Sequence, residues 1–305
     1  MSFSVTKTPP NPTRSSWTML KTRCMNWLEH LGIQERVACW SNMHGQYGLC
    51  DRLRGLACGL AWTKANRMRL LYGWSANAKC PATYESLFTY PAGVCRDPKD
   101  IPALPPRSVL ISMPSNVTPW EFWGRLVPCG LDHGPYHSLD SFKDAWRSEI
   151  RSFKPVDAVR QNIDACLAIA HGNPLIGIHV RRTDVVNHPF RKEITSANLA
   201  MHDIALLDEV RHEAKVNPHA CFYLASDDHA AFLRWSGWLA TDGIRFISHD
   251  KAWKESLRQT DVRDAVVDLW MLGHCQLVLG TVTSGFLMIA EALGAKPKLL
   301  KLAPA

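Results

Sequence analysis

Residues 175–184 read LIGIHVRRTD. An apolar run of strand length that ends in His179, Arg181, Arg182 and Asp184 reads as a buried strand with charge at its C-terminal end. Open α/β sheets bind ligands just outside the carboxyl ends of their strands. A guanidinium grips a diphosphate through bidentate, charge-assisted hydrogen bonds and keeps its charge at any working pH, so two adjacent arginines here point to a phosphate-bearing ligand. Neighbours on an extended strand project to opposite faces, which lets one arginine reach straight into a cleft while the other holds the architecture. An ion pair with Asp184 or another carboxylate is the structural alternative for either.

Outward from this stretch, the second half of the chain is regular. Strands are expected at Leu175–Val180, Cys221–Ala225, Ile244–Ser248, Leu277–Leu279 and Lys298–Leu302, alternating with helical patterns at Ala197–Ala214, His229–Trp235, Val262–His274 and Phe286–Leu293. That alternation predicts a doubly wound parallel sheet.

The first half is less even. Residues 1–16 are rich in Pro, Ser and Thr without periodicity and read as a mobile arm, and Trp17–Leu31 reads as a short helix. RVACWSN (36–42) is expected as a strand that opens into HGQYGLCDRLRGL. There Gly45 and Gly48 make a tight turn, Asp51 begins a helix with Leu53, Leu56, Ala57, Leu60 and Ala61 on one face, and Met68–Trp74 returns as a strand. A glycine turn at a helix N-terminus attracts anions; without a complete G-x-G-x-x-G or Walker pattern, a turn with no ligand stays an equal reading. Ala76–Leu139 is irregular and rich in Pro, Gly and Trp, with one strand at Ser108–Ser112, and reads as loops around a cleft or as structural packing. Ser141–Ala170 reads as two helices broken at Pro155. The domains expected are an α/β domain with linker helices over residues 17–170 and a second, Rossmann-like domain over 171–305.

Composition narrows the class. The chain has 305 residues, 46% hydrophobic and 21% charged, which suits a globular protein of two ordinary domains. A net charge of +7 spread among 28 acidic side chains fits an anionic small ligand better than nucleic acid. Ten scattered cysteines without a C-x-x-C pair argue for reduced thiols acting as small hydrophobes rather than for zinc. No window has the length of a membrane span and the first residues lack the apolar core of a signal peptide, so a cytoplasmic compartment is expected. The sequon at Asn116–Thr118 would be idle there.

Several side chains can carry chemistry. Ser226, Asp227 and Asp228 follow a strand, where Asp227 either receives a ligand or caps the next helix. Asp264 and Asp268 lie one helical turn apart beside a buried face, suited to the N–H groups of guanine or a ribose hydroxyl, or to a solvated helix face. In LGTVTSGF (279–286), Thr281, Thr283, Ser284 and the N–H groups of Gly285 and Phe286 form a helix N-terminus that is either an anion site or a plain cap. His179, set in an apolar strand, reads as a core histidine before it reads as a base. The adjacent carboxylates lack the D-x-D spacing of a metal site, and none is expected.

HVRRTD, YLASDD and DAVVDLWMLGHCQLVLGTVTSG together resemble the GDP-fucose-dependent fucosyltransferases, above all the α1,6 branch that includes core N-glycan and nodulation-factor enzymes. The resemblance runs from about Leu175 to Gly294 with the motif order kept, and thins in the first half to the glycine turn around Gly48. It implies a GT-B-like α/β fold, two Rossmann-type domains facing across a cleft. It implies a metal-independent, inverting transfer of fucose or a similar sugar from a GDP-sugar to a glycan, lipo-oligosaccharide or protein hydroxyl. By resemblance the donor is held by His179, Arg181, Arg182, Asp184, Asp227, Asp268, Thr283, Ser284, Gly285 and Gly48, and Arg181 stabilises the departing diphosphate. The α1,6 branch continues with a lysine and a glutamate where this chain has Val185 and Pro189. His188, Glu193 and Asp184 are left as candidates for deprotonating the acceptor. The competing expectations are a GDP-sugar-binding protein without transferase activity and an interaction module built on the Trp-rich middle segment.

Overall fold

The computed structural model describes residues 36–40, 47–97, 108–111, 113, 116–182, 196–255, 259–281 and 284–300. In chain order its elements are β1 (Val37–Trp40), α1 (Leu49–Ala65), β2 (Arg69–Gly73), β3 (Phe88–Tyr90), β4 (Cys95–Arg96), β5 (Val109–Leu110), α2 (Pro119–Leu126), α3 (Leu139–Ser152), β6 (Lys154–Pro155) and α4 (Asp157–Ala170). Then come β7 (Leu175–Val180), α5 (Ser196–Val216), β8 (Cys221–Ser226), α6 (His229–Thr241), β9 (Phe246–Ile247), α7 (Val262–His274), β10 (Leu277–Thr281), α8 (Gly285–Leu293) and β11 (Lys296–Leu300). The expected arm and the helix at Trp17–Leu31 lie outside the described residues.

Two parallel sheets organise the chain, one ordered β4-β2-β1-β5 and the other β11-β10-β7-β8-β9. In each, the order reverses beside the first strand, between β5 and β1 and between β10 and β7. Such reversals open a crevice at the carboxyl ends of the strands. The expected doubly wound sheet is therefore present in the second half, with LIGIHV (175–180) as its switch strand.

A parallel sheet needs cover on both faces, and every residue of β7 is buried. Its even-numbered residues Ile176, Ile178 and Val180 pack with Leu206 and Val210 of α5 and Trp235 of α6. On the other face a Cβ at Gly177 would come 2.7 Å from Leu272 Cδ2, so this glycine lets α7 lie close on the strand. A second apolar cluster runs from Trp40 of β1 and Leu53 of α1 through Phe142 of α3 and Ile163 of α4 to Leu269 of α7 and Leu287 of α8. Burying each such side chain stabilises the fold by roughly 1.5–3 kcal/mol, and here that burial is shared between elements of both halves.

The first half departs from expectation in several places, among them the short strands β3 and β4 within Ala76–Leu139, where only the strand at Ser108–Ser112 was expected. Ala76–Leu139 holds a helix that the sequence reading passed over, although α2 begins on a complete signal. Thr118 Oγ1 accepts the Glu121 N–H at 3.3 Å, Glu121 Oε2 accepts the Thr118 N–H at 2.8 Å, and Pro119 fills the first turn. α1 starts at Leu49 with Gly48 as its N-cap, two residues before Asp51, whose carboxylate instead accepts the Gly48 N–H at 3.4 Å. The break between α3 and α4 falls at Pro155 as expected, with Pro155 paired to Phe88 in a short antiparallel ladder. All nine described cysteines are free, and eight are buried. Burial pushes such thiols up, Cys166 to about 11, so they pack as hydrophobes.

Candidate functional site

The switch point of the second sheet brings β7 and β10 side by side, with His179 in register with Gly280. A Cβ on Gly280 would lie 3.2 Å from both Cβ and the backbone oxygen of His179, so only glycine leaves the histidine undisturbed there. The His179 ring stacks on Phe286 of α8, centroids 5.2 Å apart and planes 7° apart. Burial first, and the charge of Arg181 second, pull its pKa down to about 3, so the imidazole is neutral. Its Nδ1 is buried and has no hydrogen-bond partner among the described residues.

The two arginines follow the end of β7 and differ in burial. Arg182 is buried and turns toward α5, where its Nη2 donates to Asp203 Oδ1. Asp203 also receives the Trp235 Nε1–H at 3.1 Å and Arg234 Nη2 at 3.3 Å. Arg182 thus makes a structural ion pair, and its partner is Asp203. Arg181 is half-buried, one residue past the end of β7, and near enough to His179 for its charge to lower that imidazole.

Asp227 does not cap α6; Asp228 does, accepting the Ala231 N–H at 2.7 Å. Asp227 Oδ1 instead accepts the backbone N–H of Arg182 at 2.7 Å, tying the end of β8 to the end of β7. The capping role that the sequence left open for Asp227 thus falls to its neighbour.

Asp268 is 4% exposed, so its helix face is not solvated. Its Oδ2 takes Lys251 Nζ at 2.6 Å and its Oδ1 takes the Tyr223 hydroxyl at 2.8 Å, with His249 Nδ1 3.3 Å away. Burial alone would raise its pKa, but Lys251 and His249 outweigh burial and hold the carboxyl below the usual range. For Tyr223, burial and the Asp268 carboxylate push the phenol well up, which keeps it a donor. His249 also lies 3.4 Å from Asp264; burial works against its charge, but the two aspartates prevail and raise it. Lys251 and His249 were not singled out in the sequence, since both fall in an irregular stretch after β9.

At the start of α8, Ser284 is buried and its Oγ accepts the Phe286 N–H at 3.3 Å. α1 begins at the same place: a Cβ on Gly285 would come 3.0 Å from Cys50 Cβ. Two helix N-termini, each with partial positive charge from its aligned peptide dipoles, are thus brought together near the carboxyl end of β10. Arg52 steadies this corner. Fully buried, its Nε donates to the Tyr47 carbonyl at 3.0 Å and its Nη1 to the Ser75 carbonyl at 2.6 Å, beneath the Trp74 ring. An arginine inside the apolar face of α1 was the available signal for such an anchor. Two residues further along, Arg54 meets Asn116 O at 3.1 Å and Met288 Sδ at 3.8 Å, joining α1 to α8.

His179, Arg181, Asp227, Ser284, Gly285 and Gly48 are therefore gathered at or beside the two adjoining strand ends and helix starts, while Arg182 and Asp268 point into the protein. Asp184, His188, Glu193, Thr283 and Gly45 lie outside the described residues. The arrangement can bind a diphosphate, because two helix N-termini and a guanidinium offer complementary charge. Away from it, Glu209, His212 and Glu213 on α5 are the group among the described residues close enough for a cation, and Lys298 already sits against both glutamates. No helix among the described residues is long and apolar enough to cross a membrane.

No family model matches the chain, and no curated protein matches its sequence. Solved structures do. The chain is similar to fucosyltransferase NodZ from Bradyrhizobium, with 19% identity and a TM-score of 0.55 over 84% of this chain and 92% of that one. It is similar to NodZ alpha-1,6-fucosyltransferase co-crystallized with GDP, at 17% identity and a TM-score of 0.51 over 85% and 92% of the two chains. It is also similar to POFUT1 in complex with GDP, at 11% identity and a TM-score of 0.54 over 88% and 98%. The fold is fucosyltransferase-like.

Proposed function

We propose that this chain is a glycosyltransferase that takes fucose, or a close sugar, from a GDP-sugar and passes it to a hydroxyl of a glycan, lipo-oligosaccharide or protein. The observation that carries the reading is the meeting of α1 and α8 at Cys50 and Gly285, beside the strand that bears His179 and Arg181. In this reading the two halves face each other as in GT-B enzymes, with the donor at the seam. The diphosphate lies against Gly48, Thr283, Ser284 and Gly285. Arg181 stabilises the negative charge that grows on it as the sugar departs, while Arg182 and Asp227 keep the end of β7 in place. The acceptor oxygen attacks the anomeric carbon from the side away from the diphosphate and inverts it. Cationic groups of the chain take the role that a metal plays in other nucleotide-sugar enzymes, and His188, Glu193 and Asp184 are the candidates to take the acceptor's proton.

The likeness to NodZ and POFUT1 supports the donor class, since those structures hold GDP. The test is to incubate the protein with GDP-fucose, GDP-mannose and UDP-sugars, with and without a chelator, and to follow release of the nucleoside diphosphate. GDP release from GDP-fucose, unaffected by the chelator and lost in Arg181→Ala, is the expected result. No binding or turnover of any GDP compound would end the proposal. Val185 and Pro189, where the α1,6 branch has lysine and glutamate, favour one second reading, a GDP-sugar-binding protein that does not transfer. Binding without product across an acceptor array would select it.

A further inference from the structure

The Asp, Glu, Lys and Arg side chains buried among the described residues are Arg52, Glu149, Arg182, Asp203, Lys251 and Asp268. All but Arg52 sit in ion pairs, Glu149 with Lys64, Arg182 with Asp203 and Lys251 with Asp268. Arg52, 1% exposed, has no carboxylate within ion-pair distance among the described residues. The groups its guanidinium meets there are neutral: the Tyr47 carbonyl at 3.0 Å, the Ser75 carbonyl at 2.6 Å and the Trp74 ring, whose centroid is 5.1 Å from Cζ. The adjacent acid is engaged elsewhere, since Asp51 Oδ1 takes Arg54 Nη2 at 2.5 Å and Oδ2 takes the Gly48 N–H at 3.4 Å.

The position adds to the cost. Arg52 closes the first turn of α1, its backbone N–H donating to the Gly48 carbonyl at 3.2 Å, and a cation is disfavoured at the positive end of a helix. An enclosed charge is expensive unless it is paired. Two carbonyl dipoles offset part of this cost and leave the net charge in place. Water and salt screen such a charge little, so it adds to the potential of the two helix starts that meet at Cys50 and Gly285. An anion bound there supplies the counter-charge that the fold omits.

We propose that Arg52 is a positioning residue for the donor: held one peptide from Gly48, its enclosed charge draws a nucleoside diphosphate onto the starts of α1 and α8 without touching it. The inference rests on the reading of that corner as the diphosphate site. Arg181 acts on the same diphosphate from the end of β7, so two guanidinium charges serve it, one half-buried and one enclosed.

The experiment is displacement of a fluorescent GDP derivative from the full chain by GDP and by guanosine, for wild type, Arg52→Met, Arg52→Lys and Arg181→Ala. Guanosine lacks the phosphates, so the ratio of the two affinities isolates what acts on the diphosphate. In Arg52→Met the affinity for GDP is expected to fall about tenfold or more, with that for guanosine unchanged. Arg52→Lys keeps the charge but not the planar fork and should restore most of the loss. A role confined to the fold predicts otherwise: Arg52→Met would weaken both ligands alike, and Arg52→Lys would fail with it. Either of those results, or an unchanged GDP affinity in a folded Arg52→Met, would overturn the inference and leave the donor reading standing. Should Arg52→Met not fold, Arg181→Ala decides, since the enclosed charge remains there: GDP must still bind about tenfold or more tightly than guanosine, and equal affinities would overturn the inference. Failure of the wild type to bind GDP at all would overturn both.

Discussion

Cys50 and Gly285, 235 positions apart in the chain, meet so closely that a Cβ on the glycine would lie 3.0 Å from that of the cysteine. The contact joins the first turns of two helices that each follow the switch strand region of a different sheet. Aligned peptide dipoles make each helix start partially positive, so their approach concentrates positive potential where neither helix alone would. The closeness depends on the glycine having no side chain.

Gly285→Val therefore forces α1 and α8 apart. Overpacking of this kind costs about 1–3 kcal/mol, and the midpoint of urea unfolding is expected to fall accordingly. Affinity for GDP, measured by titration, falls with it, whereas Gly237→Ala, inside α6 where no atom lies within 4 Å of an added Cβ, leaves that affinity unchanged and raises the midpoint through alanine's better helix propensity.

The two arginines are expected to fail differently. Arg182→Ala leaves Asp203 buried with only Arg234 and Trp235, and breaking a buried pair costs about 3–5 kcal/mol; denaturant unfolding should show the loss. Arg181→Ala should unfold near the wild-type midpoint and lose about a hundredfold in GDP-fucose turnover, the effect of a charge-assisted contact worth ~3 kcal/mol.

His179 makes stability depend on acid. Its imidazole stays neutral in the folded protein down to about pH 3, while the unfolded chain binds that proton near the ordinary value of about 6.5. Between those values the unfolded state holds more protons. The stabilisation is complete above about pH 6.5 and is lost as pH falls toward 3, with a slope of at most ~1.4 kcal/mol per pH unit. His179→Phe should flatten that limb of an unfolding-stability profile; an unchanged slope would refute the assignment.

His249 acts with the opposite sign. Held between Asp264 and Asp268, it keeps its proton to higher pH folded than unfolded. Its contribution is complete below about pH 6.5 and is lost as pH rises through the raised folded value. His249→Gln should abolish that decline on the alkaline side while leaving the acid limb intact, as read from thermal midpoints across pH 6–9.

Much of this was legible because periodicity and end chemistry are local. The strand at Leu175–Val180 and the helix at Val262–His274 have the bounds read from their apolar patterns. Other elements differ mainly by a few residues at their ends, where capping rather than hydrophobicity decides. α2 was passed over because its pattern is short, although the Thr118, Pro119 and Glu121 signal at its start was visible. Asp227 and Asp228 could not be told apart, since which of two neighbouring carboxylates caps a helix depends on where the backbone turns. Lys251 was invisible for a stronger reason: nothing near position 251 indicates that its charge will be enclosed against a residue of another helix.

By itself the sequence determined a parallel α/β chain and the placement of charge at the end of its switch strand. These follow from the repeat of the backbone, which each segment carries alone. The tertiary structure decided that Arg182 pairs with Asp203, that Asp268 is closed by Lys251 and Tyr223, and that α1 and α8 start side by side. Those outcomes depend on distances between residues far apart in the chain, set by the packing of a core that elements of both halves complete.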